Sequence, residues 1–182
     1  MIAQVTETAE KIRSMEIRGA GKIARAAALA LKDFAISLDV EDLDEFNSEV
    51  RRAADILLNT RPTAVSLSNA IWMVTKYKAE DIGSARKAVI SNADRFIESS
   101  EKAVEKIGEI GGRRIRDGDT VLTHCNSMAA LSVISTAHKA GKKIKVIATE
   151  SRPRYQGILT IGFLDKLGIQ TELIVDFVQP EV

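Results

Sequence analysis

Along residues 1–111 the apolar positions recur at steps of three and four, the pattern of helices that bury one face. Residues 6–14 form a short amphipathic segment. Residues 22–37 carry Ile23, Ala27, Leu31 and Phe34 at helical spacing in an alanine-rich background that lets another backbone come close. Residues 42–59 place Leu43, Phe46, Val50, Ala53, Ile56 and Leu57 on one side. That helix should stop at Thr60-Arg61-Pro62-Thr63, because the residue before a proline avoids helical angles. Residues 66–78 turn Leu67, Ala70, Ile71 and Val74 inward, and Trp72, the single tryptophan, is assigned to the core. Residues 80–111 form the longest helix, from Ile82 to Ile107 on its apolar face, and Gly111-Gly112 is expected to end it. Arg113-Arg114-Ile115-Arg116 then reads as a solvated hinge.

After Asp117-Gly118 the period changes. Strand-like runs cover 120–123, 145–149 and 171–175, and helices over 128–140 and 157–167 lie between them. Gly141 and Gly168 close those helices. Strands alternating with helices imply right-handed βαβ units and a parallel sheet. The expected class is therefore α/β, with an all-helical N-terminal domain over 1–113 and a parallel-sheet domain over 114–182.

Candidate chemistry gathers around Thr120-Val-Leu-Thr-His-Cys-Asn-Ser-Met-Ala-Ala130. Val121 and Leu122 suit a short buried strand, and Asn126 and Ser127 are helix N-cap types. Strand, polar turn and helix would put Cys125 at a strand's carboxyl edge beside a helix N-terminus. Free N–H groups and the helix dipole there favour a thiolate and an anionic ligand. A lone cysteine is otherwise a small buried hydrophobe. The loop Thr149-Glu-Ser-Arg-Pro-Arg-Tyr-Gln-Gly157 lies at the same carboxyl edge, and its charged and amide side chains suit an anionic, hydroxylated ligand. In the helical part, Arg18-Gly19-Ala20-Gly21 taken alone reads as a plain glycine-containing turn, and it also combines an arginine able to pair with phosphate and glycines at a helix start. Adjacent strand residues face opposite ways, so His124 and Cys125 should not form a dyad. His138 lies late in its helix, where it complements the dipole.

Composition narrows the class. A net charge of +1 and 4% aromatic residues argue against nucleic acid. One cysteine excludes an internal disulfide and fits a reducing compartment. Glu7, Glu10 and Lys11 occupy the place of a signal peptide's apolar stretch, and no run approaches the roughly 20 apolar residues of a membrane span. A cytoplasmic protein without membrane contact is expected, and no metal-ligand cluster or cofactor motif stands out.

Four segments then act together. Ile17-Arg18-Gly19-Ala20, Thr60-Arg61-Pro62-Thr63, Thr123-His124-Cys125-Asn126-Ser127 and Glu150-Ser-Arg-Pro-Arg-Tyr-Gln-Gly157, in this order and spacing, resemble one superfamily. It comprises the methylthioribose-1-phosphate isomerases, the archaeal ribose 1,5-bisphosphate isomerases and the alpha, beta and delta regulatory subunits of the translation-initiation nucleotide-exchange factor. The segment 15–31, and the lack of a glycine-rich extension after Asn126-Ser127, are most similar to the ribose 1,5-bisphosphate isomerase branch.

The resemblance implies a helical domain followed by a Rossmann-like domain, with Cys125 catalytic. It implies that Arg18, Gly19, Ala20, Gly21 and Arg61 hold substrate phosphate, that Ser127, Met128 and Ala129 offer it backbone N–H groups, and that Gln156 contacts the sugar. The implied reaction converts ribose 1,5-bisphosphate to ribulose 1,5-bisphosphate in AMP salvage. Its implied partners are a sugar bisphosphate, a nucleotide activator and, at full length, further copies of the chain. The family pairs its cysteine with an aspartate in a Gly-Ala-Asp motif, and this sequence contains no such motif. Asp176 follows the third strand instead of a later one, so it is not that aspartate. The chain is accordingly expected to be a C-terminally shortened form, inactive alone. The competing readings are a non-catalytic regulatory protein of the initiation-factor branch and a helical oligomerisation module.

Overall fold

A computed structural model describes residues 2–176. It contains, in order, α1 (Ile2–Arg13), α2 (Ala20–Ser37), α3 (Leu43–Leu58), α4 (Val65–Thr75), α5 (Ile82–Arg114), β1 (Thr120–Thr123), α6 (Met128–Lys139), β2 (Lys145–Thr149), α7 (Gln156–Asp165) and β3 (Gln170–Ile174). The chain divides into two compact units between Glu101 and Lys102, earlier than the expected boundary at 113/114.

The helical unit is organised around α2. Its alanines, Ala24, Ala27, Ala28 and Ala35, are all at most 2% exposed and let neighbouring helices approach closely. Val5, Ala9 and Ile12 of α1, Phe46, Val50 and Leu57 of α3, and Leu67, Ile71 and Val74 of α4 complete the cluster. Asp42 caps α3 by accepting the N–H of Glu45, and Asp81 does the same for Ser84 at the start of α5. Two expectations fail here. α4 ends at Thr75, not Lys78, and Trp72 is 59% exposed instead of buried. The inward arc is taken by Leu67, Ala70, Ile71 and Val74, and the next position after Ile71 is turned roughly 100° away from it. Lys76 Nζ lies 4.2 Å from the Trp72 ring centre.

In the second unit β1, β2 and β3 form a parallel sheet in that order, as the alternation of strands and helices requires. Val146 of central β2 packs with Leu131 and Ile134 of α6 and Leu164 of α7. β1 is not the buried strand expected: Leu122 is 67% exposed, because β1 lies at one side of the sheet and pairs only with β2 among the described residues. Gly111-Gly112 does not end α5, which continues to Arg114. Both glycines are contact positions. A Cβ on Gly111 would come within 2.5 Å of Val133 Cγ2, and one on Gly112 within 2.9 Å of Thr136 Cγ2. The orphan carbonyls at the helix end are taken by Lys142, whose ammonium donates to the oxygens of Gly112 and Ile115. Gly141 and Gly168 close α6 and α7 with φ of 86° and 74°, as expected.

Candidate functional site

The parallel register brings three loops to one edge. Thr123 pairs with Ala148, and Thr149 with Ile174. Each strand is followed within two residues by a polar side chain, Cys125 after β1, Ser151 after β2 and Asp176 after β3. Glu150 N–H donates to Ile174 O at 2.8 Å, which extends the ladder past the strand ends.

Cys125 is exposed and has φ of 63°, the left-handed region that few residues with a side chain adopt. It is held on both sides of its backbone. Its N–H donates to Ser151 Oγ at 2.7 Å, and its carbonyl accepts from Thr160 Oγ of the buried face of α7 at 2.8 Å. Ser127 caps α6 by accepting the N–H of Ala130, and its own carbonyl accepts from Leu131. No acceptor among the described residues takes the N–H groups of Met128 and Ala129, which leaves the positive end of α6 open beside the thiol.

Ser151 has φ of 59° and is 7% exposed. Its N–H and that of Arg152 donate to the two carboxylate oxygens of Asp176, at 2.6 and 2.7 Å. The Arg152 N–H, more than any other group, holds the Asp176 carboxyl below the usual carboxylate range. The Ser151 N–H, the Thr149 hydroxyl and the charge on His124 act in the same direction against partial desolvation. His124 is exposed, and its Nδ1 lies 2.6 Å from Thr149 Oγ1. It is tied to the end of the neighbouring strand and forms no dyad with Cys125 among the described residues, although both lie just past β1 and not within it, so the expected alternation is not the cause. Arg152 pairs with Glu150 at 2.7 Å. A Cβ on Gly157 would sit 1.8 Å from the Thr149 carbonyl oxygen, so only glycine lets α7 begin against the end of β2. Gln156, the first residue of α7, has its side-chain nitrogen buried with no partner among the described residues.

In the helical unit, each of two quoted segments makes a contact close to the other. Ser66 Oγ donates to Ala20 O at 3.2 Å, and Arg61 Nη1 lies 2.7 Å from Met15 Sδ. Gly19 precedes α2 with φ of 90°, a conformation open to glycine at no cost. Arg18, Gly19, Ala20 and Gly21 are all exposed, and Arg18 makes no ion pair or hydrogen bond among the described residues. These contacts put the start of α2 beside α4 and the turn before α2 beside Arg61.

Sequence reading passed over Thr149, Ser151, Thr160 and Asp176 as parts of one network. Counting two residues past each strand end finds Cys125, Ser151 and Asp176 together, but that count needs the register. Among the described residues no group of three or more His, Cys, Asp or Glu side chains could hold a metal ion. No helix among them is long and apolar enough to cross a membrane.

A helical unit, and a Rossmann-like parallel sheet with a cysteine at its carboxyl edge, define a known class of α/β protein. The chain belongs to the Initiation factor 2 subunit family, whose model it matches over residues 16–178. It is 58% identical to ribose 1,5-bisphosphate isomerase of Archaeoglobus fulgidus over 173 residues, which are 95% of this chain and 54% of that protein. It is 54% identical to ribose 1,5-bisphosphate isomerase of Methanocaldococcus jannaschii, covering 94% of this chain and 55% of that protein. Among solved structures, translation initiation factor eIF-2B of Pyrococcus horikoshii OT3 superposes with a TM-score of 0.81 at 28% identity, covering 94% of this chain and 59% of that one. The chain spans about half the length of the curated relatives it matches.

Proposed function

We propose that this protein is an aldose–ketose isomerase that converts ribose 1,5-bisphosphate to ribulose 1,5-bisphosphate, with Cys125 as the base. The observation that carries the reading is Cys125 itself, an exposed thiol held through its N–H and its carbonyl immediately before the open N-terminus of α6. Identity of 58% and 54% to proteins of that name supports the substrate class.

The chemistry accounts for the residue types. A sugar phosphorylated on its anomeric oxygen has no free hemiacetal, so its ring cannot simply open. An acid must protonate the ring oxygen while a base takes the proton from C2; the electron pair of that C–H bond forms the C1–C2 double bond as the bond from C1 to the ring oxygen breaks, and the enol becomes the ketose when a proton is returned to C1 and the C2 hydroxyl gives up its own. Cys125 would take that proton as thiolate. The N–H groups of Met128 and Ala129, with the dipole of α6, would hold a phosphate, and Arg18, Gly19, Ala20, Gly21 and Arg61 would bind phosphate in the helical unit. The buried, unpartnered nitrogen of Gln156 would donate to a sugar hydroxyl, which removes the cost of an unsatisfied amide. The acid is not among these groups: Asp176 is engaged as an acceptor of two N–H groups, and the sequence holds no Gly-Ala-Asp. A cytoplasmic location, a nucleotide activator and self-assembly belong to the same reading. The exposed Leu122, Leu173 and Val175 at the two outer strands of the sheet support self-assembly.

The test is formation of ribulose 1,5-bisphosphate, assayed with the chain alone and with a polypeptide supplying the aspartate segment. Turnover is expected to be about 10²–10⁴-fold lower without the acid. Cys125→Ser should abolish it when that segment is supplied. Turnover that survives Cys125→Ser overturns the assignment of the base.

A further inference from the structure

The thiol's setting depends on a side chain that neither the motifs nor the chemistry above uses. Two left-handed residues, Cys125 and Ser151, stand on adjacent loops with φ of 63° and 59°, in a region sparsely populated by residues with a Cβ. Such conformations persist only where the surroundings hold them. At Ser151 the hold is the Asp176 carboxylate, which takes the N–H groups of Ser151 and Arg152 at 2.6 and 2.7 Å. With both N–H groups spent on that carboxylate, the Ser151 hydroxyl is left at 2.7 Å from the Cys125 N–H as its acceptor. The register explains the convergence, since residues two past Thr149 and two past Ile174 stand level when those two pair.

We propose that Asp176 is a positioning residue: its carboxylate fixes Ser151, and Ser151 in turn fixes the backbone of Cys125 and the direction of its thiol. This rests on the reading of Cys125 as the reactive group. Asp176 touches no reacting atom. Its carboxylate is suited to the task because two N–H donors need two acceptor oxygens. Asparagine offers one, and its amide nitrogen would face the other N–H donor to donor.

The experiment uses the whole chain and three variants, with iodoacetamide as the probe and amide proton shifts as a second readout. Asp176→Asn and Ser151→Ala should each change the alkylation rate of Cys125 at least threefold. The double variant should go no further than the larger single effect, because both changes cut one relay. In the wild-type chain the Ser151 and Arg152 amide protons should shift together as pH falls, with a midpoint below the free aspartate value of about 3.9. The charged or titratable groups facing this carboxylate are His124 and Arg152, and Arg152 is paired to Glu150. Glu150→Gln should leave the midpoint in place. Alkylation at the wild-type rate in Asp176→Asn, effects that multiply in the double variant, or amide shifts that follow an ordinary carboxylate would each overturn the proposal. If Asp176→Asn does not fold, the wild-type titration and Ser151→Ala still decide. None of these readouts involves a sugar phosphate, so failure of the isomerase reading would not be mistaken for failure of the relay.

Discussion

At the scale of single residues, the site is a set of backbone conformations before it is a set of reactive atoms. Cys125 was legible in the sequence because a strand-type run, a lone thiol and an N-cap pair stand in a row. Its left-handed backbone was not legible, since it is imposed from Ser151 and Thr160, 26 and 35 residues further along the chain. Trp72 misled for a related reason: a large apolar residue beside an apolar arc is assigned to the core, yet a neighbouring position faces elsewhere. Gly157 shows what the backbone demands. Alanine there would place a Cβ 1.8 Å from the Thr149 carbonyl oxygen, and backbone yields far less readily than a side-chain tip. Gly157→Ala should therefore destabilise the second unit by about 2–3 kcal/mol, at the upper end for overpacking, and should change the Cys125 alkylation rate. Unchanged denaturant midpoint and unchanged alkylation would show that the start of α7 is free to move. The Asp176 clamp adds a pH dependence of defined sign. A carboxyl whose folded value is lowered contributes stability above its ordinary value, and that contribution is lost as pH falls through the lowered one.

At the scale of elements, periodicity located the helices and strands of the described residues to within about four residues, and missed where α4 and α5 stop. Gly111-Gly112 reads as a terminator because glycine is the usual residue just past a helix. In the fold the pair provides the room in which α5 lies against Val133 and Thr136 of α6. That is a tertiary reason, and nothing in local sequence carries it. Two glycine-to-alanine changes separate the local and tertiary effects. Gly162 in α7 is exposed, and a Cβ there meets nothing within 4 Å, so Gly162→Ala should stabilise by about 0.5–1 kcal/mol through helix propensity alone. Gly111→Ala has the same propensity gain, but its Cβ would lie 2.5 Å from Val133 Cγ2, on a β-branched side chain that is stiff at χ1. Overpacking costs about 1–3 kcal/mol, so the sign should reverse to a net loss of about 1 kcal/mol. Denaturant unfolding of both variants checks the pair. A stabilised Gly111→Ala would mean that α5 and α6 are loosely packed.

At the scale of the whole molecule, family, fold and chemistry reach different depths. Four short segments sufficed for the superfamily, and the match over residues 16–178 places the chain in it. The alternation of elements sufficed for a helical unit followed by a parallel sheet. The described residues hold an exposed thiol, N–H groups without an acceptor among those residues, and Arg18 and Arg61 in the helical unit, and their roles toward a sugar bisphosphate are what the proposal adds. The account stands on Cys125 lying in a site that binds a sugar bisphosphate. The most direct measurement is the rate at which iodoacetamide alkylates Cys125 in the native chain, with and without ribose 1,5-bisphosphate. The account predicts a thiol that reacts without denaturant, and a rate that falls at least tenfold, saturably, as the bisphosphate is added. A thiol that reacts only after unfolding, or a rate indifferent to millimolar ribose 1,5-bisphosphate, would contradict it.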